Sequence, residues 1–234
     1  MIFLQLKTYF GQIITHWTGL TGLRDLRYFR PWYRSLEPGA SPVRDEQPWI
    51  TFDAIHYLAE RVNSSSRVFE YGGGGSTLFF LNRCTEVVTV EHDADWFSLL
   101  KRSIESKHVT NWKGHLIEPG TRTLLSAPDD SNPDHYSSRG MPGFNFLNYA
   151  SLIDAYPDSY FDIILIDGRA RPACIKHAAS KLKMGGLMVL DNADRAYYVG
   201  PKIKEVLKSY SLKLSRMSAS PYVSFFTQTN IWQK

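Results

Sequence analysis

The chain has 234 residues, 43% of them hydrophobic and 14% aromatic, with 27 basic against 23 acidic side chains and a formal net charge of +4. Such length and apolar content suit one globular domain, with or without a small appendage, and exclude a chain disordered throughout. Residues 1–44 hold six basic side chains (Lys7, Arg24, Arg27, Arg30, Arg34, Arg44) and two acidic ones (Asp25, Glu37), while the remainder is balanced, so no general nucleic-acid-binding surface is expected there.

In chain order, residues 1–36 read as one or two amphipathic helices, with Phe3, Leu4, Leu6, Tyr9, Phe10, Ile13, Ile14 and Trp17 at helical spacing and an aromatic, arginine-rich stretch over 28–34. Pro38, Gly39 and Pro42 mark a linker, dividing a helical basic arm and linker (1–44) from a main domain (45–234). No apolar run is long enough for a membrane span, and the start lacks signal-peptide order. The arm is expected to pack on the domain, on a second copy of the chain or on a membrane surface. Cys84 and Cys174 stand alone, with no metal or disulfide spacing, and read as buried apolar residues of a cytoplasmic protein.

From Thr51 helical and strand-like segments alternate. A helix carries Ala54, Ile55, Leu58, Ala59 and Val62; strands are expected at 67–71, 86–91, 112–118, 160–166, 186–190, 211–216 and 222–227. Helices are expected near 76–83, 94–107, 172–182 and 199–209. Runs without polar alternation, such as Ile163 to Ile166, fit parallel strands buried on both faces, and the fold class is α/β, a doubly wound Rossmann-like sheet. The stretch 119–148, rich in Pro, Gly, Ser, Asp and Asn, reads either as a cover over a ligand crevice or as plain disorder.

The strongest signal is Glu70-Tyr71-Gly72-Gly73-Gly74-Gly75-Ser76, directly after an apolar strand and before a helix. Glycines there let the backbone turn sharply and approach a ligand closely. Thr77 stands at the third position of a dinucleotide fingerprint, and no Lys follows as a P-loop requires. Glu70 suits a cationic ligand better than a pyrophosphate, and Glu91, ending the next strand, is placed to accept hydrogen bonds from two ribose hydroxyls. Both acids favour S-adenosylmethionine.

These residues, with the run Phe161 to Gly168 and the run Lys183 to Asn192, resemble the class I S-adenosylmethionine-dependent methyltransferases over about residues 51–229. The resemblance implies a seven-stranded sheet of order 3-2-1-4-5-7-6 with the seventh strand antiparallel, here matched to 222–227. It also implies that Gly72 and Gly74 line the methionine moiety and that Glu91 holds the ribose. Glu70, Tyr71, Gly73, Ser76, His92 and Asp167 complete the expected cofactor site. Ser76 replaces a glycine common in the family.

Enzymes of this fold that methylate amino groups usually carry [DNS]-P-P-[YF] after the fourth strand, where this chain has Asp167-Gly168-Arg169-Ala170. The segment is more similar to O-methyltransferases acting on catechol or caffeoyl-coenzyme A. In those, positions matching Asp167, Asp191 and Asn192 hold a divalent metal such as Mg²⁺, although their lysine is Ala170 here. Asp167, Arg169 and Asp191 are the catalytic candidates. Arg169 and Arg171 can clamp an anionic acceptor or be solvated loop charges, and Asp191-Asn192 can equally cap a helix. Trp49 and Phe52 either close over the ligand or pack in the core. The expected activity is O-methylation of a small-molecule or sugar hydroxyl, with no nucleic-acid partner. An aminopropyltransferase, disfavoured because two arginines would repel a polyamine, and a non-catalytic scaffold are the alternatives.

Overall fold

A computed structural model describes residues 2–16, 19–121 and 128–234. Trp17 and the central part of the expected crevice loop, 122–127, lie outside the described residues, as does the side chain of Phe3.

Seven strands form the main sheet: β1 (Arg67–Tyr71), β2 (Glu86–Glu91), β3 (Trp112–Leu116), β4 (Phe161–Ile166), β5 (Leu182–Leu190), β6 (Ser211–Leu214) and β7 (Asn230–Gln233). Their order is β3-β2-β1-β4-β5-β7-β6. The first five are parallel, and β7 runs antiparallel to both β5 and β6. Order and sense match the sequence expectation; the position of the last strand does not. The apolar segment 222–227 turns through Tyr222 at φ +65° and leaves Phe225 exposed, while Ile231 and Trp232 enter the sheet.

Strand side chains alternate between two apolar layers. Phe69, Tyr71, Ile164 and Ile166 face one layer, with Tyr149 and Ala150 of α7 (Leu147–Ser151), Ala173 and Ile175 of α8 (Arg171–Lys181) and Ile203 of α9 (Pro201–Val206). Val68, Ile163, Leu165 and Val189 face the other, with Ala54 and Leu58 of α4 (Phe52–Ala59), Leu78 and Phe80 of α5 (Gly75–Leu81), and Leu100 and Ile104 of α6 (Ala94–Glu105). Cys84 and Cys174 are free and buried in these layers.

The arm is built from α1 (Ile2–Thr15), a 3₁₀ turn over Gly19–Tyr28, α2 (Phe29–Ser35) and the short α3 (Pro42–Asp45). It forms a third apolar cluster in which Tyr9, Ile13, Tyr28 and Trp32 meet Phe52, Ala219 and Phe226. Trp32 Nε1 donates to the Val223 carbonyl at 2.7 Å, and Arg216 donates to Asp25 at 2.7 Å and also pairs with Asp53. Phe52 is thus a core residue beneath the arm. No helix among the described residues is long and apolar enough to cross a membrane.

Candidate active site

The glycine turn after β1 is shaped by close approach. Gly72 has φ +90°, and a Cβ there would lie 3.1 Å from the Asp167 backbone. At Gly75 a Cβ would lie 2.2 Å from the Gln47 carbonyl oxygen and 2.3 Å from that of Pro42, so α5 is pressed against α3 and the segment after it. Gly74 has room, its nearest neighbour being Trp96 at 3.6 Å. The turn and the carboxyl ends of β2, β4 and β5 enclose a cleft of about 490 Å³. This is where open α/β sheets bind ligands.

Of the expected site residues, Gly72, Gly73, Gly74, Ser76, Glu91, His92, Asp167, Arg169 and Asn192 line this cleft. Glu91 organises one wall. Its Oε2 accepts from the Gly73 amide at 3.0 Å, and its Oε1 accepts from the amides of His92 at 2.6 Å and Asp93 at 3.0 Å. Burial pushes this carboxyl up, but hydrogen bonds from His92 and the Asp93 amide outweigh it and hold Glu91 below the usual range, ionised at neutral pH. His92 Nδ1 lies 2.6 Å from Glu91 Oε1, and its Nε2 accepts from Arg169 Nε at 3.1 Å.

Two expected cofactor ligands do not reach the cleft. Tyr71 is fully buried, and its hydroxyl donates to the Ala150 carbonyl at 2.7 Å. Glu70 is fully buried as well, accepting from Thr89 Oγ1 at 3.0 Å. Burial pushes its carboxyl up to about 7 against hydrogen bonds from Ser76, Thr77 and Thr89. β1 turns Glu70 inward beneath α5, where it braces the glycine turn instead of facing an ammonium group.

The expected divalent-metal position is closed by a side chain of the protein itself. Asp167, Asp191 and Asn192 converge as expected, but the Arg171 guanidinium lies among them. Its Nη2 donates to Asp167 Oδ1 at 2.9 Å, its Nε to the Gly168 carbonyl at 3.0 Å and its Nη1 to the Asp191 carbonyl. Asp191 Oδ1 accepts from Thr229 Oγ1 at 2.8 Å. A hard divalent ion needs several oxygen ligands of its own, and here a fixed cation holds Asp167 Oδ1 while Thr229 holds Asp191 Oδ1. No cluster of three or more His, Cys, Asp or Glu side chains suited to a metal occurs among the described residues. These residues do not fit a divalent metal. Nor is Arg171 free to clamp a substrate, since it is buried and committed to this network. Burial first, and the neighbouring Asp191 second, push the Asp167 carboxyl up against the pull of Arg171.

Several lining residues were not anticipated: Pro42, Asp93, Trp96, Gly168 and Arg195. Trp96 Nε1 donates to the Gly73 carbonyl at 2.7 Å, fixing the glycine turn from α6. Gly168 is a packing requirement, because a Cβ there would lie 1.9 Å from the Tyr149 hydroxyl. A second cavity adjoins the cleft through Trp49, Asp167, Asn192 and Arg195 and continues past Ser220 and Phe225. Met141 and Phe144 of the 119–148 stretch line a further cavity with His92 and Arg169, so the described part of that stretch borders the crevice.

The sequence matches no protein-family model and no curated protein. Among solved structures the chain resembles a candidate methyltransferase from Streptococcus mutans in complex with SAH, with TM-score 0.52, 12% sequence identity, and coverage of 76% of this chain and 94% of that one. It also resembles TrmN from Thermus thermophilus, with TM-score 0.50, 14% identity, and coverage of 78% and 47%. The chain has the Rossmann-like methyltransferase fold. At identities this low the likeness is one of fold, and it agrees with the strand order established above.

Proposed function

We propose that the protein transfers a methyl group from S-adenosylmethionine to a hydroxyl of a small, anionic or sugar-like molecule. The observation that carries this reading is Asp167, which stands where the two cavities meet. On one side lie Gly72 to Ser76 and Glu91; on the other lie Asp191, Ser220 and Phe225, while Trp49, Asn192 and Arg195 share the junction with Asp167. Glu91, ionised and fixed, suits the ribose hydroxyls, and the bare glycine turn suits the methionine moiety.

When bound, S-adenosylmethionine supplies an electrophilic methyl carbon on a sulfonium that leaves as a neutral thioether. What this chain must supply is alignment of the acceptor oxygen and a place for its proton. Asp167, with its carboxyl pushed up, is the proton acceptor. Arg171 fixes Asp167 by its 2.9 Å bond and takes the structural position expected of a metal. Arg195, at that junction, pairs with an anionic group on the substrate.

Calorimetry with S-adenosylhomocysteine tests the cofactor half: micromolar binding that is lost in Gly74→Arg is expected, and no binding overturns it. Labelled S-adenosylmethionine incubated with a metabolite extract tests the acceptor half. The expected result is label in a small anionic or sugar-like compound; label in RNA, in protein or in nothing overturns it.

A further inference from the structure

α1 is unusual in being apolar on both sides. Tyr9 and Ile13 bury into the cluster with Trp32 and Phe226. The opposite side of the helix carries Leu4, Lys7, Phe10, Gly11 and Ile14, which fall on one face at 3.6 residues per turn. Leu4 is 71% and Ile14 74% exposed, and Phe10 is exposed too. A helix that only packed on its domain would place polar side chains there. Leu23 and Leu26, in the 3₁₀ turn that follows, are exposed as well.

Lys7 lies on this face, and the arm as a whole is basic. Lys7, Arg24, Arg30 and Arg34 are exposed and make no ion pair among the described residues. Of the acids on the arm, Asp25 is buried against Arg216 and Asp45 pairs with Arg44, which leaves Glu37 exposed and without an ion pair among the described residues. An exposed apolar helix face that carries Lys7, on an arm whose other unpaired charges are mostly basic, fits a surface that is apolar below and anionic above. A second copy of the same arm would instead bring like charges together.

We propose that the outer face of α1, with the cations of the arm, binds the surface of an anionic lipid bilayer. Leu4, Phe10 and Ile14 enter the headgroup–acyl boundary, and Lys7, Arg24, Arg30 and Arg34 meet lipid phosphates. The binding is peripheral, and it is independent of the proposed methyl transfer.

The test is co-sedimentation of the full-length protein with vesicles of phosphatidylcholine containing about one third phosphatidylglycerol. Binding is expected to be strong on these vesicles, weak on phosphatidylcholine alone and weakened by salt. The double variant Leu4→Glu/Ile14→Glu, altered only at exposed positions, is expected to lose about tenfold or more in partitioning. The charge variant Arg24→Glu/Arg30→Glu should lose binding as well, with an unchanged circular dichroism spectrum for both proteins. Absence of vesicle binding overturns the proposal, as does equal binding to neutral vesicles. So does a wild-type dimer that the Leu4→Glu/Ile14→Glu variant dissociates, since the face would then be covered by a second copy.

Discussion

Arg171 Nη2 lies 2.9 Å from Asp167 Oδ1, so a side chain from the first position of α8 reaches back to the end of β4 and supplies a permanent positive charge to the cleft wall. Removing it would leave two neighbouring carboxylates without a cation. Arg171→Leu is therefore expected to cost about 3 kcal/mol in urea unfolding, as breaking a buried pair usually does. Arg171→Lys should recover only part of this, lacking the planar fork that reaches the Asp167 carboxylate and the Gly168 and Asp191 carbonyls.

From the same relationship it follows that the proposed methyl transfer should need no divalent metal. Methyl transfer is expected to proceed at the same rate in EDTA as in added Mg²⁺, measured by release of S-adenosylhomocysteine. A rate that collapses in chelator and returns with Mg²⁺ would show that Arg171 moves aside for an ion.

Glu70 gives stability a definite dependence on pH. Its folded value of about 7 exceeds the ordinary 4.5, so the folded state binds its proton more tightly than the unfolded state. Its contribution is fully present below 4.5 and is lost as pH rises through about 7. Glu70→Gln cannot lose a proton, so its stability relative to wild type should rise by about 2–3 kcal/mol between pH 5 and pH 8. Parallel denaturation curves for the two proteins check this, and subtraction removes the same-sign contribution of Asp167 and Asp191.

Gly74 and Gly75 are adjacent but should fail in opposite ways. Gly75→Ala places a Cβ against two backbone carbonyls, forces α3 outward and is expected to lower stability by about 1–3 kcal/mol. Gly74→Ala meets only ordinary contact with Trp96, so the thermal midpoint should hold while affinity for S-adenosylhomocysteine falls.

Trp96→Phe removes the 2.7 Å bond to the Gly73 carbonyl and keeps most of the ring packing. A loss of about three- to tenfold in cofactor affinity is expected, corresponding to one hydrogen bond. Calorimetry reads it directly.

The sheet order was legible because each central strand is a mainly apolar run ending at a glycine or an acid, as in Val68 to Gly72, broken only by Glu70, and Ile163 to Asp167. The last strand was misplaced because 222–227 and 230–233 are both apolar and aromatic, and only tertiary structure distinguishes them. Phe226 belongs to the arm's cluster, whereas Ile231 belongs to the sheet. The glycine turn and Glu91 followed from local chemistry. Arg171 did not, because its direction is set by Ala170 in the left-handed region at φ 45°, a backbone choice that an alanine does not announce. Glu70 was misread for a related reason: a strand position fixes which face a side chain takes, but not whether that face opens to a ligand.

Glu91 joins the turn after β1 to the turn after β2 by accepting from Gly73 on one side and from His92 and Asp93 on the other. Ordering of that wall is accomplished when the chain folds, before any ligand arrives. A ribose reaching this carboxylate would meet a preorganised acceptor, and little conformational entropy would be lost there on binding. In the proposed reaction, adaptation to different acceptor molecules would fall to the other part of the cleft, around Trp49 and Arg195.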